Sequence, residues 1–235
     1  GDIIKPNTPV IYSVKNEDAL KYIRDYAVEQ NATPIELDRE IIVISQDDEF
    51  TYRYKDYELE TIILNMLGEH QKENASLAIT ALIELNEAGI IELDFNKMID
   101  GIESVNWIGR IEQVKEHPLM IIDGAHNNES VDALIDTIKQ YYGRDQIDIL
   151  FSAIKGKPIC DMLNKLEDIA SHFYITDFDF PKALSKEEIA ENINRDNVEL
   201  VDDYVEFLEN YDGKGLIITG SLYFISEVKS KTNFD

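Results

Sequence analysis

Cysteine is almost missing from this 235-residue chain: Cys160 stands alone, so no disulfide forms within it. There is no secretory apolar region at the amino terminus either, and the expectation is a reducing, cytoplasmic setting. Cys160 falls at an apolar position of a helix-like segment, PICDMLNKLEDIA, and is read as core packing. Long apolar runs are also missing. None approaches the roughly 18 residues that cross a bilayer, so no membrane helix is expected. Positive charge is scarce: 22 Lys and Arg stand against 47 Asp and Glu, a formal net charge of -25. Nucleic acids and anionic membranes are met by Lys/Arg surfaces, so neither is expected as a partner. A small anion remains open, because a local group of donors holds it rather than net charge. His70 and His126 lack the spacing of a metal pair, and no Cys/His cluster has zinc-site spacing. No Gly-x-x-x-x-Gly-Lys-Ser/Thr pattern occurs either; Gly156-Lys157 and Gly213-Lys214 are followed by neither Ser nor Thr.

What is present is material for a core, since 44% of the residues are hydrophobic. The length suits one large domain or two small ones. Helical spacing over 17–30 is followed by short β-rich runs, PIEL, EIIVIS and FTYRY. The last alternates aromatics at Phe50, Tyr52 and Tyr54 and suggests an antiparallel pair. ELETIILN is a further strand candidate, and helices are expected over 71–88 and 94–105. From Arg110 strands and helices alternate. IEQV, LMIID, IDILFSA, HFYIT, VELV and GLIITG read as strands. Helices are expected over 128–142, 158–170, 185–194 and 202–211, with a last one from Ser221. This alternation implies an α/β fold with a doubly wound, mostly parallel, Rossmann-like sheet. The boundary is placed at residue 106, giving domains 1–106 and 107–235, and the first is expected to be strand-poor and incomplete.

Several stretches can carry chemistry. In LMIIDGAHN an apolar strand ends in Asp123, turns through Gly124 and Ala125, and enters a helix after His126 and Asn127. Ligands of open α/β sheets bind beyond the carboxyl ends of the strands, where helix N-termini offer free N–H groups to anions. Asp123 either caps this turn, with few core contacts, or accepts hydrogen bonds from ribose hydroxyls. His126 either packs there or donates to a carboxylate. GLIITGSLYFISEV repeats the geometry, with Ser221 as a helix N-cap or as a hydroxyl for a carboxylate. Arg110, where the second domain begins, suits phosphate through its two-pronged guanidinium, or pairs with a surface acid. His70, Gln71 and Asn74 start a helix, where the amides either cap or read the edge of an adenine. Lys155 and Lys157 follow a strand end and are either solvated or face phosphate or carboxylate.

The ordered set GEHQxxNA, GRIE, IIDGAHN, FSAIKGK, Pro-Lys-Ala-Leu-Ser and TGSLY resembles folylpolyglutamate synthase / dihydrofolate synthase of the Mur ligase superfamily. The opening IIKPNTPV resembles a family stretch cut off at its start, and the resemblance runs over nearly the whole chain. It implies a P-loop ATPase domain followed by a Rossmann-like C-terminal domain, with residues 1–106 the last part of the former. It implies an ATP-dependent ligase that activates a folate carboxylate as an acyl phosphate and adds glutamate, with ATP and Mg2+ as cofactors. Matched by position, Asn74 lies on the adenine side and Arg110 at the ATP phosphates. Asp123 lies at the ribose, and His126 and Ser221 at the incoming glutamate, with Lys155 beside them. Arg110 and His126 are the catalytic assignments, and no metal ligand is assigned. Asn128 stands where the family has proline, a loss the first helical turn tolerates, and Gly156 where it has aspartate. The resemblance implies a cytoplasmic enzyme, monomeric at full length, and a chain inactive without the P-loop domain. A related Mur-type peptide ligase and a non-catalytic binding module are the alternatives.

Overall fold

Short β-branched and aromatic runs take up extended structure throughout the computed structural model, which describes residues 3–143, 146–193 and 197–234. The chain falls into two units, Gly1–Asn106 and Trp107–Asp235.

In the first unit β1 (Val10–Tyr12) and β2 (Pro34–Glu36) pair in parallel, connected through α1 (Glu17–Glu29). The Asn16 side chain caps α1 by accepting the Ala19 N–H. Glu36 is buried at the end of β2, where it accepts from Arg24 Nε at 2.6 Å and from the Tyr12 hydroxyl at 3.1 Å. Those bonds are what make a buried carboxylate tolerable. β3 (Ile41–Gln46), β4 (Glu49–Tyr54) and β5 (Tyr57–Ile63) form an antiparallel sheet in that order. The period-two alternation puts Phe50, Tyr52 and Tyr54 on one face, and all three are buried. Ile79 and Ile83 of α2 (Glu69–Glu87) and Met98 of α3 (Phe95–Ser104) complete that core. The part expected to be strand-poor thus holds five strands among its described residues.

The second unit alternates as expected: β6 (Glu112–Lys115), β7 (Leu119–Ile122), α4 (Asn128–Tyr142), β8 (Ile147–Phe151), α5 (Ile159–Leu166), β9 (Ala170–Ile175), α6 (Lys186–Ala190), β10 (Val198–Leu200), α7 (Tyr204–Asn210), β11 (Gly215–Thr219) and α8 (Leu222–Lys231). Among the described residues these strands make one sheet in the order β10-β9-β8-β11-β7-β6, parallel except for β6 at the edge. Strands covered on both faces read as unbroken apolar runs, and Leu216, Ile217 and Ile218 of β11 are all buried. Met120, Ile122, Leu150, Leu216 and Ile218 meet Tyr204, Leu208, Phe224 and Val228 of α7 and α8. The alternate residues Ile121, Ile149, Phe151 and Ile217 are buried too, as are Leu134 and Ile138 of α4 and Met162 and Leu163 of α5. Because β11 enters the sheet last, between β8 and β7, the carboxyl ends of β7, β11 and β8 stand side by side.

Two helices are shorter than their sequence pattern. The one expected over 158–170 ends at Leu166, and the next residues turn to feed β9. The one expected over 185–194 is Lys186–Ala190, and Asn194 lies outside the described residues. Cys160 is exposed rather than packed in the core. Ile159, Met162, Leu163 and Leu166 already take the inward positions of α5, which turns residue 160 outward. Its sulfur lies 3.6 Å from Asn164 Nδ2.

The Tyr211 hydroxyl sits 2.8 Å from Asp148 Oδ2 and 2.7 Å from the Gly215 carbonyl. Tyr211→Phe is expected to lower stability by about 1.5–3 kcal/mol, the range for a hydrogen bond to a charged group. Urea unfolding measures it, and an unchanged midpoint would show that water replaces the hydroxyl.

Candidate functional site at the carboxyl ends of the strands

Asp123 follows the last residue of β7 and is only 5% exposed. Its Oδ2 accepts the Ile111 N–H at 2.9 Å, and its Oδ1 accepts the Ala125 N–H at 2.8 Å. The first bond ties the start of β6 to the end of β7; the second closes the turn that leads to His126. The expectation that a residue here makes few core contacts is therefore corrected. Burial pushes its carboxyl up to about 6, against the downward pull of the two N–H groups and of the Arg110 guanidinium.

Ile111 holds φ 47°, a left-handed conformation that a β-branched residue seldom takes. Such strain persists where neighbours over-determine it, and it concentrates at functional sites. Here the bond to Asp123 fixes it. Arg110, half-buried, is presented from this strained corner, with its N–H on the Trp107 carbonyl at 3.2 Å.

Beyond Asp123 the chain enters α4 through a capping box. Asn127 Oδ1 accepts the Ser130 N–H at 2.8 Å, and Ser130 Oγ accepts the N–H groups of His126 and Asn127 at 3.0 and 3.2 Å. His126 Nδ1 lies 2.8 Å from the Gly124 carbonyl. A carbonyl only accepts, so Nδ1 carries the proton and Nε2 is the ring nitrogen left for a ligand. The neutral ring then accepts at Nε2, and only the imidazolium donates there.

The end of β11 is built alike. Ser221 is buried and caps α8, its Oγ accepting the Tyr223 N–H at 3.2 Å. Its own hydroxyl proton remains to be donated. Gly220 holds φ +110°, and a Cβ there would collide with the Ser152 carbonyl oxygen; a Cβ on Gly124 would collide with the Leu222 side chain. Glycine is what lets the three turns approach so closely. Gly124 N–H donates to the Gly109 carbonyl at 2.8 Å and Ser152 N–H to the Thr219 carbonyl at 3.2 Å, which knits the edge together.

The structure thus gathers Arg110, Asp123, His126 and Ser221 around the ends of β7 and β11, with Lys155, exposed, beyond the end of β8. Asn74 belongs to the first unit, exposed on α2, whereas Gln71 is buried with its Nε2 3.0 Å from His70 Nε2. Two further residues were not picked out from the sequence. The hydroxyls of Ser152 and Thr219 are fully buried at the ends of β8 and β11 and have no partner. Each directly ends an apolar strand run, but spacing alone does not separate such a hydroxyl from ordinary strand termination. Two adjacent helix N-termini, α4 and α8, bring their free N–H groups to this edge, an arrangement suited to an anion. Among the described residues no three His, Cys, Asp or Glu side chains gather as a metal site.

Residues 109–221 match the family model for the Mur ligase, glutamate ligase domain. The chain is 35% identical to the dihydrofolate synthase/folylpolyglutamate synthase of Bacillus subtilis over 240 residues, 97% of this chain and 56% of that protein. It superposes on a folylpolyglutamate synthase from Thermotoga maritima with a TM-score of 0.77 at 26% identity, covering 97% of this chain and 55% of that one. The fold also matches a bifunctional folylpolyglutamate synthase/dihydrofolate synthase from Yersinia pestis solved with Mn, AMPPNP and L-glutamate, with a TM-score of 0.79 at 20% identity over 97% of this chain and 54% of that one. The chain spans about half the length of the relatives it matches.

Asp123→Ala leaves two buried N–H groups without acceptors, and a loss of roughly 2–4 kcal/mol is expected. The folded carboxyl binds its proton more tightly, at about 6, than the unfolded one, at about 3.9. Its contribution is therefore full below about pH 3.9 and is lost as pH rises through 6. Urea unfolding of wild type and variant across that window should show the gap between them narrowing as pH rises; a widening gap would contradict the burial argument.

Proposed function

The chain belongs to the folylpolyglutamate synthase / dihydrofolate synthase family of Mur ligases, and on that premise we propose that it carries the glutamate-handling part of an ATP-dependent ligase that joins glutamate to a folate carboxylate. The observation that carries this reading is the convergence of His126, Ser221 and two helix N-termini on one edge of the sheet, where strand order reverses. The L-glutamate held by the Yersinia pestis enzyme of the same fold supports it.

The roles follow from what each side chain has left to offer. Ser221 donates its remaining hydroxyl proton to a glutamate carboxylate, next to the free N–H groups of α8. His126 Nε2 accepts from the amine of the incoming glutamate when the ring is neutral and so orients its lone pair toward the acyl carbon. Lys155 supplies a counter-charge to the glutamate. Arg110, fixed by the strained corner, pairs with phosphate oxygens through its two-pronged guanidinium. Both Asp123 oxygens already accept backbone hydrogen bonds, so Asp123 acts through the turns it holds and meets ribose only with its remaining lone pairs. Asn74 is assigned to the adenine edge, and residues 1–106 to the last part of the ATPase domain.

ATP, when bound, supplies the phosphoryl group that turns the acceptor carboxylate into an acyl phosphate. Among the described residues no three His, Cys, Asp or Glu side chains gather, and the roles above do not pass through magnesium. The chain contains no Walker-type loop, and without such a phosphate cradle the chain alone is expected to be inactive.

A ligase assay with ATP, magnesium, a reduced folate and glutamate tests this, comparing the chain with a form that includes a P-loop domain. Product only from the longer form is the expected result. In that form His126→Ala should raise the KM for glutamate about tenfold or more, with little change for ATP. The reverse pattern would move His126 to the nucleotide. No product from either form would remove the folate assignment in favour of a related peptide ligase or a non-catalytic module.

A further inference from the structure

The two buried hydroxyls without partners at this edge face opposite sides of the sheet. Thr219 pairs with Phe151 across β11 and β8, so Ser152, one residue on, takes the other face. On its second flank β11 pairs Ile218 with Ile122. The Asp123 N–H then donates to the Ile218 carbonyl at 3.0 Å, which carries the parallel ladder one residue past β7. Thr219 and Asp123 are therefore next in register, and strand alternation puts both on the face of Ile121 and Ile217. Neighbouring strands run about 4.8 Å apart, a gap that a threonine hydroxyl and an aspartate carboxyl span between them. Phe151, on the other flank, offers no acceptor in its side chain.

The Asp123 carboxylate has acceptor capacity left. It takes the N–H groups of Ile111 and Ala125, whereas a carboxylate has about four lone-pair sites. The ionisable groups on the elements around it are Arg110 before β6, Glu112 of β6, His126 before α4 and Lys229 of α8. The guanidinium of Arg110 acts on the carboxyl, and Glu112 is neutralised by Lys229 at 2.5 Å.

We infer that Thr219 is a positioning residue of this site: its hydroxyl is the third donor to Asp123, turned onto the carboxylate when that group is ionised. The hydroxyl is then satisfied. The ionised carboxylate keeps its hold on Ile111 and Ala125, and so on the corner that presents Arg110 and the turn that leads to His126. What those two side chains bind rests on the glutamate-ligase reading; the hydrogen bond does not. A donor to the charged form favours ionisation. Without it the folded protein holds the Asp123 proton more tightly, so the contribution of the hydroxyl is absent while Asp123 is protonated and appears as pH rises through its titration.

The test uses the 235-residue chain with 13C-labelled aspartate. NMR follows the Asp123 carboxyl, identified by the signal lost in Asp123→Asn, and urea unfolding is measured over the same pH range. Thr219→Val, which keeps the shape and loses the hydroxyl, should titrate about one pH unit higher than wild type, a tenfold change in proton affinity. Thr219→Ala should follow it, and Thr219→Ser should titrate as wild type does. The shift should persist in a His126→Gln background, which excludes the imidazole as its source. The stability of wild type over Thr219→Val should grow as pH rises through that window. An unmoved Asp123 titration in Thr219→Val and Thr219→Ala overturns the inference. So does a Thr219→Val that is more stable than wild type at every pH, the result expected when an orphaned hydroxyl is simply relieved. The two readings fail separately. Thr219-dependent titration with no ligase activity in the longer form would sink the ligase and leave the donor, whereas turnover with an unmoved Asp123 titration in Thr219→Val would sink the donor and leave the ligase.

Discussion

One buried carboxylate holds two backbone amides, and the site is arranged around it. Asp123 bonds Ile111 N–H on one side and Ala125 N–H on the other. Desolvation opposes its charge, and the two N–H groups offset part of that opposition. Without these bonds Ile111 has no reason to keep its left-handed backbone, and Arg110 loses its fixed presentation. The turn through Gly124 and Ala125 would loosen as well, and with it the Gly124 carbonyl that sets the His126 tautomer. A change at Asp123 thus reaches Arg110 and His126 through backbone, without either touching its carboxylate.

The sheet supplies the second constraint. Because β11 is inserted between β7 and β8, three strand ends and two helix N-termini share one short edge. Close approach there depends on missing side chains at Gly124 and Gly220. Buried hydroxyls without partners, Ser152 and Thr219, sit on the same edge. An unsatisfied buried polar group costs about 1–3 kcal/mol, a penalty that folds accept most readily where a ligand or ordered water can later repay it. Rigidity and incomplete satisfaction occur together, which is the arrangement expected of a preorganised binding edge.

Charge gives the third. A chain of net charge -25 repels small anions over a range set by the Debye length, about 8 Å at physiological salt. Any small anion that binds must then be held by short-range donors. Arg110, Lys155 and the amides of α4 and α8 are such donors, and they occupy one edge of the second unit. The acidic excess elsewhere narrows the places where an anion is stable, so overall repulsion and local attraction together favour this edge.

Much of this was legible in the linear order of residues. Period-two aromatics gave the strand Glu49–Tyr54, and helical spacing gave α4 with both ends at Asn128 and Tyr142. The motif order IIDGAHN, FSAIKGK and TGSLY led to the family. These features follow from interactions between residues a few positions apart: side-chain alternation, i to i+4 bonding and capping. What only the tertiary structure decided involves partners far apart in sequence. Asp123 finds Ile111 twelve residues away, β11 is threaded between two earlier strands, and Ile154 meets Ala183 across a bridge. Cys160 is turned outward because other α5 residues take the buried face. Local pattern fixes which segments are strands and helices. Which strand lies beside which, and so which side chains share an edge, is settled by packing of the whole sheet, where many orders satisfy the same local pattern.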